Sequence, residues 1–227
     1  MMLGYVQVLD ELKQVTTLNY CHIFRQVVLN LATSESQPFL LIGEAFNEET
    51  GIPQLLAAND ATGLFTLYTH KLILSYLFEA FPEAKSNAAQ VRQFVMAGGG
   101  FPMSPTFYCY DSLLALRALS VLSAAEVAED DELVLERDNL LKQVDENQEK
   151  LGLWAEHAPM NYAHKFELVE AERCRVMGLS YEAIEKYDRA IAGAQTHGYH
   201  QEVSLANELF AKFYLQCGKT KVAVVYL

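Results

Sequence analysis

The sequence predicts an all-α fold, a right-handed superhelix of antiparallel helix pairs. Three observations predict it. Apolar residues recur at helical intervals along most of the chain, and extended segments are scarce. Gly178, Gly198 and Gly218 stand twenty residues apart. That spacing fits helices of about sixteen or seventeen residues, each closed by a glycine in the left-handed conformation. Two such helices give a unit of about forty residues, and each helix spans roughly 25 Å at 1.5 Å per residue.

The elements follow in order. From Tyr5 to Ala32, Leu9, Leu12, Leu18, Ile23, Val27 and Leu31 recur at helical spacing and predict one or two helices. Phe39 to Gly43 is a candidate short strand. Glu44 to Pro53 carries Gly51 and Pro53 and reads as a loop. A helix over 60–79 places Leu64, Tyr68, Leu72 and Tyr76 on one face. Another covers 84–97 and is ended by Gly98-Gly99-Gly100 and Pro102, a flexible connector. A further pair covers 106–128 and 131–152, the second with Leu133, Leu140, Val144 and Leu151 on one stripe. The acids Glu126, Glu129, Asp130, Asp131 and Glu132 between them read as a solvated turn with favourable charge at a helix start. Residues 154–159 form a break.

The last portion is the most regular. Ala171, Cys174 and Met177 line its first helix, and Ile184, Tyr187, Ala190, Ile191 and Ala194 its second. The small Ala190 and Ala194 let two backbones approach closely. Tyr181 is expected to fill the wedge where the helices diverge, and Ser180 to cap the second helix. The expected organisation is N-terminal helices and a loop over 1–57, then one continuous helical-repeat array over 58–227.

Composition narrows the function classes. At 51% apolar and 20% charged residues the chain of 227 belongs among folded proteins and not among disordered ones. A net charge of −12 argues against nucleic acid or an anionic membrane as partner, since both require a basic face. Cys21, Cys109, Cys174 and Cys217 lie far apart with no CxxC pair. They read as buried, reduced thiols and suggest the cytoplasm. The first residues lack a basic segment, and the longest apolar runs are interrupted by Lys71 and Arg117, so neither export nor membrane spanning is expected.

No candidate chemistry survives its own requirements. Gly218-Lys219-Thr220 resembles the end of a phosphate-binding loop, but Phe213 stands where the first glycine belongs and the preceding segment is helical. Gly98-Gly99-Gly100 is not part of a GxGxxG after a strand. His197 and His200 are separated by the helix-ending Gly198, and His22, His70, His157 and His164 are scattered. Glu44 and Glu48, a candidate carboxylate pair, read as parts of a solvated loop. Phe107, Tyr108 and Tyr110 read as packing between helix pairs. Catalytic, cofactor-binding and metal-binding residues are therefore expected to be none, with no cofactor.

The spacing Gly178, Tyr181, Ala190 resembles the tetratricopeptide repeat, whose two helices also meet at Gly-x-x-Tyr with a small residue nine positions later. The family's usual Trp is Cys174 here, its later Pro is missing, and the period is forty instead of thirty-four.

A wider series also occurs in order. It comprises Gln26-x-x-Leu29-Asn30-Leu31, Gly43-Glu44-x-Phe46-x-Glu48 with Ile52-Pro53, and Lys71-Leu72-x-Leu74-x-Tyr76-Leu77-Phe78. Phe107-Tyr108-x-Tyr110-Asp111-Ser112-Leu113, Trp154-Ala155-x-x-Ala158-Pro159 and Leu205-Ala206-Asn207-Glu208-Leu209 follow. This series resembles the helical-repeat region of large bacterial, notably cyanobacterial, multi-sensor signalling proteins. In that family a serine/threonine-kinase-like domain and a P-loop ATPase domain precede the repeats, and sensor domains with a histidine kinase follow them.

The resemblance implies a non-enzymatic scaffold or regulatory module of a signal-transduction kinase, a fragment of a longer array, with protein partners: flanking domains or a signalling partner. The helix pairs contact only their neighbours, so a bound partner alters curvature along the stack. If a groove binds an acidic peptide group, repeat geometry makes Arg175, Lys212 and Lys219 its cations. Val222, Val225 and Leu227 are expected to lie uncovered, each worth ~1.5–3 kcal/mol when buried. The remainder of a longer chain, a partner or a second copy would cover them. The alternative is a small-molecule-sensing repeat domain of a transcription-activator-like ATPase, with a concave cavity flanked by Tyr68, Tyr108 and Tyr110.

Overall fold

The computed structural model describes residues 4, 8, 9, 11–33, 37–122 and 130–227. Among these the protein is all-helical, with ten α-helices and one isolated bridge, Ile42 to Asn47, at the place of the expected strand. Contacts divide the chain into two units, 1–104 and 105–227. The sequence had suggested a division at 57/58.

The first unit holds α1 (Val15–Ala32), α2 (Glu48–Ala57), α3 (Ala61–Leu77), α4 (Phe81–Phe94) and a 3-10 turn, Val95–Gly98. Helix α2 begins inside the expected loop. Asn47 caps it by accepting from the Glu49 amide at 2.9 Å, and Pro53 is carried within it. Asp60 caps α3 by accepting from the Gly63 amide at 2.8 Å and also takes a hydrogen bond from the Tyr20 hydroxyl at 2.9 Å. From Gly63 to Tyr76 almost every α3 side chain is buried, which is the condition of a helix enclosed on all sides. Helices α1, α2 and α4 all pack on it. Ile23 and Val27 share a core with Leu41, Leu55, Leu64, Leu67 and Leu74, so residues on both sides of position 57 belong to one apolar cluster.

The second unit holds α5 (Ser104–Leu119, from Pro105 on), α6 (Asp131–His157), α7 (Pro159–Val176), α8 (Ser180–Thr196) and α9 (His200–Gln216). The short α10 (Thr220–Ala223) and a 3-10 turn, Val224–Tyr226, complete it. Helix α5 ends at Leu119, short of the expected 128. Glu126 and Glu129 lie outside the described residues. Asp130 caps α6 by accepting from the Glu132 amide at 2.8 Å, and Asp131 and Glu132 fill the first turn. The expected break at 154–159 contracts to Ala158, because Pro159 opens α7 where no backbone N–H is needed.

The three spaced glycines all take φ between +70° and +76°. At each, two backbone bonds close the preceding helix. The Gly178 amide donates to the Arg175 carbonyl at 3.1 Å and the Leu179 amide to the Cys174 carbonyl at 2.9 Å. The Gly198 and Tyr199 amides repeat this with Gln195 and Ala194, and the Gly218 and Lys219 amides with Leu215 and Tyr214. This is the Schellman closure, which satisfies two orphan carbonyls per helix.

The chain then enters the next helix after one residue. Leu179, not Ser180, occupies the N-cap position, and Ser180 is already helical. Helices α8 and α9 are 17 residues each. The first unit uses the same closure without glycine, at Asn59 (φ 50°) and Glu79 (φ 57°).

Helix α7 packs on α6 and α8, α8 on α9, and α9 on α10. Ala190 and Ala194 are buried on α8 as their small size suggested, and Ala183 is buried on the same helix. The wedge expectation fails for Tyr181, which is 72% exposed at the second residue of α8. Tyr187, two turns on, fills the interior instead and stacks on Phe210 at 4.7 Å. Met177 is likewise exposed, because the helix axis ends there and its side chain leaves the interface.

Candidate functional site

Of the three cations expected to line a groove, two already hold a carboxylate. Arg175 on α7 makes a forked pair with Glu172, Nε to Oε1 at 3.0 Å and Nη2 to Oε2 at 2.8 Å, and reaches Gln216 of α9 at 3.3 Å. Glu172 also accepts the hydroxyl of Tyr187 on α8. The buried carboxylate thus ties α7 to α8, and Arg175 extends the link to α9; the planar guanidinium suits the carboxylate because two of its N–H groups match both oxygens. Lys212 pairs with Glu208 one turn back at 2.6 Å, half exposed. Lys219 lies exposed in the turn before α10. Arg175 is part of the packing between helices.

A second polar cluster in the same unit went unseen in the sequence. Lys165 of α7, 5% exposed, donates to Glu202 of α9 at 2.9 Å and to His164 Nε2 at 3.0 Å. Its ammonium lies 4.8 Å above the Tyr199 ring, and that ring stacks on His164 at 4.5 Å. Burial and the neighbouring ammonium push the His164 pKa down to about 4. Cys109 of α5 faces the Lys165 carbonyl, and burial pushes its thiol up to about 12, so it is no nucleophile at neutral pH. The adjoining space is small: a water's centre can range over only about 10 Å³. A substrate has no room there.

The first unit carries a third cluster, and here the reading of a solvated loop is overturned. Glu48 is buried and paired with Lys71 of α3, and its second oxygen accepts from the Leu41 amide at 2.7 Å. Gln26 accepts from the Ala45 and Phe46 amides at 3.0 and 3.2 Å and donates to Asn30, whose amide reaches the Leu40 carbonyl at 2.6 Å. The segment 37–47 is therefore bound by side chains of α1 and α2 in place of a sheet ladder. Glu44 does stay exposed, in a pair with Arg25 at 2.5 Å. His70 packs edge-on against Phe24, 4.6 Å between centroids, and burial lowers its pKa to about 4.

The remaining candidates separate cleanly. Gly98 is not a flexible connector: the Phe65 ring occupies the space a Cβ would need, and the Ser104 hydroxyl donates to the Gly98 carbonyl. His197 ends α8 and His200 opens α9. Among the described residues no group of three or more His, Cys, Asp or Glu is placed to hold a metal ion. Tyr68 stacks on Phe94 at 6.4 Å, Tyr108 lies between Phe107 and Trp154, and Tyr110 is buried. Of the four cysteines Cys109 is buried, but Cys217 is exposed because it ends α9 facing out.

Apolar surface remains open at Leu215, Val222, Val224, Val225 and Leu227, the last 82% exposed. Among the described residues no helix is long and apolar enough to cross a membrane. No protein-family model, no curated protein and no solved structure matches the chain.

Proposed function

We propose that the chain is a non-catalytic helical-repeat scaffold, a regulatory module that mediates protein contacts within a cytoplasmic signal-transduction kinase system. In this reading the second unit is a tetratricopeptide-like array of antiparallel helix pairs. Its partners are flanking domains of the same polypeptide or a signalling partner, with self-association through the exposed valine-rich face around α10. The kinase and ATPase context rests on the ordered phrases from Gln26 to Leu209 that resemble the multi-sensor family.

The observation that supports the reading most directly is the repeated closure at Gly178, Gly198 and Gly218. Each closed helix packs on its neighbour in the chain, which is how a repeat array distributes its stability. The buried ionisable groups support it as well. Lys165, Glu172, Arg175, Glu48 and Lys71 all hold partners inside the fold, and catalysis needs groups that converge on a space a substrate can enter. The exposed apolar residues near α10 supply a contact surface.

Two measurements test the proposal. Incubation of the chain with γ-labelled ATP should leave no label on it, and stoichiometric phosphorylation would overturn the non-catalytic reading. Sedimentation velocity across a hundredfold concentration range should show concentration-dependent association that Val225→Asp with Leu227→Asp abolishes. A strictly monomeric wild type would remove self-association, and titration with acidic C-terminal peptides then tests the groove around Lys219.

A further inference from the structure

Two exposed faces of the second unit carry opposite charge. The first is the start of α6. Glu132, Leu135, Glu136, Asn139, Leu140 and Gln143 follow one another at steps of one, three or four residues that keep them on one side of the helix. From that helix they line an open groove of about 420 Å³, large enough for a cluster of side chains. Leu135 is 61% exposed there. The charges along this stretch are Asp130, Asp131, Glu132, Glu136 and Asp138, and the base among them, Arg137, is held by Asp138 at 2.9 Å. The result is a leucine strip with an acidic rim.

The second face is the outer side of α10. Ala223 is fully buried, and Tyr226 packs on Phe210 and Tyr214 of α9 at 4.5 and 5.8 Å, so the segment is pinned from within. Lys221 and Val225, one turn apart, stand on the side away from Ala223. Val225 is 78% exposed, and Val222, Val224 and Leu227 are exposed around it. Lys219 and Lys221 are exposed as well, and residues 218–227 include no acid. Asp188 of α8 bears on the Tyr226 hydroxyl, one acid beside two lysines. The result is a valine strip with a basic rim.

Joining two α10 faces would set lysine against lysine, and joining two α6 grooves would set carboxylate against carboxylate. Joining one to the other buries valine on leucine and brings Lys219 and Lys221 to Glu132 and Glu136. Complementary charge selects that pairing, and apolar contact holds it. We propose that the α10 face of one copy of the chain docks in the α6 groove of a second copy, a contact between unlike surfaces. The proposal rests on the self-association reading above and names the surface that the α10 valines meet. Each copy brings one face of each kind, so a copy that has lost one still offers the other.

Sedimentation velocity on the full chain tests the contact. Glu132→Lys with Glu136→Lys spoils the groove, and Val225→Ser with Leu227→Ser spoils the α10 face; all these positions are exposed, so the interior is left as it is. Each variant alone should associate at least about tenfold more weakly than wild type. An equimolar mixture of the two should form a one-to-one complex, because one variant keeps the α10 face and the other keeps the groove. Wild-type association should weaken as salt is raised. A groove variant that associates as wild type does, a mixture that stays monomeric, or wild-type association indifferent to salt would each overturn the proposal, the last without any variant. If the valine variant alone has then lost association, α10 remains the self-association surface and only the face it meets is wrong. A wild type monomeric at every concentration removes both.

Discussion

Replacing Lys71 by methionine should be one of the most damaging single substitutions in the first unit, and the damage should be largely reversible by a second change. Lys71 and Glu48 have side-chain exposures of 9% and 12%, and the carboxylate keeps only the Leu41 amide once the ammonium is gone. Leaving a buried charge without its partner costs about 3–5 kcal/mol, a large share of the roughly 5–15 kcal/mol that holds a typical domain together. Glu48→Gln in the Lys71→Met background removes that charge and retains an oxygen for the Leu41 amide. The double variant should therefore recover most of the loss and lie within about 2 kcal/mol of wild type. Urea unfolding of the four proteins followed by far-ultraviolet circular dichroism gives the cycle. Trp154 is the sole tryptophan and lies in the second unit, so its fluorescence shows whether that unit unfolds in the same transition. A loss below about 1 kcal/mol for Lys71→Met, or a double variant no more stable than the single, would refute the buried-pair argument.

Three further outcomes follow from the geometry. Gly198→Ala should cost about 1–2 kcal/mol by urea unfolding, because φ is +76° while the space around an added Cβ is open, so the whole cost is backbone conformation. Tyr187→Phe leaves Glu172 without the tyrosine hydroxyl and should cost about 1–3 kcal/mol, whereas Tyr181→Ala at an exposed site should change stability by less than about 0.5 kcal/mol, both read from the same unfolding curves. His70 has its pKa lowered from 6.5 to about 4, so the unfolded chain takes up a proton that the folded one resists. Stability should be complete above pH 6.5 and decline by about 3 kcal/mol as pH falls toward 4. His70→Phe should flatten that decline, leaving the part that His164 contributes in the same direction.

The helices were legible because their signals are local. The twenty-residue glycine spacing gave the last three turns, and the burial of Ala190, Ala194, Val144 and Leu151 followed from spacing alone. Asn59 and Glu79 make the same turn and were missed, since neither side chain announces a left-handed φ as glycine does.

The polar clusters were illegible for a different reason. Glu48 and Lys71 are twenty-three positions apart and Lys165 and Glu202 thirty-seven, and no periodicity links such pairs before the helices are packed. One signal is present in the sequence: Lys71 lies within a long apolar run, and a charge there asks for a buried partner. Tyr181 misled because a residue at the second position of a helix starts beyond the place where the two axes touch.

The three-residue joints 177–179 and 197–199 leave little slack between consecutive rods. Deleting one residue from α8 would turn everything after the cut by about 100° and swing Ala194 away from its neighbour, since nothing in the joint absorbs a phase error. In the proposed array of antiparallel pairs, removing twenty residues would restore phase but reverse the direction of the following rod, and only a change of forty would keep both.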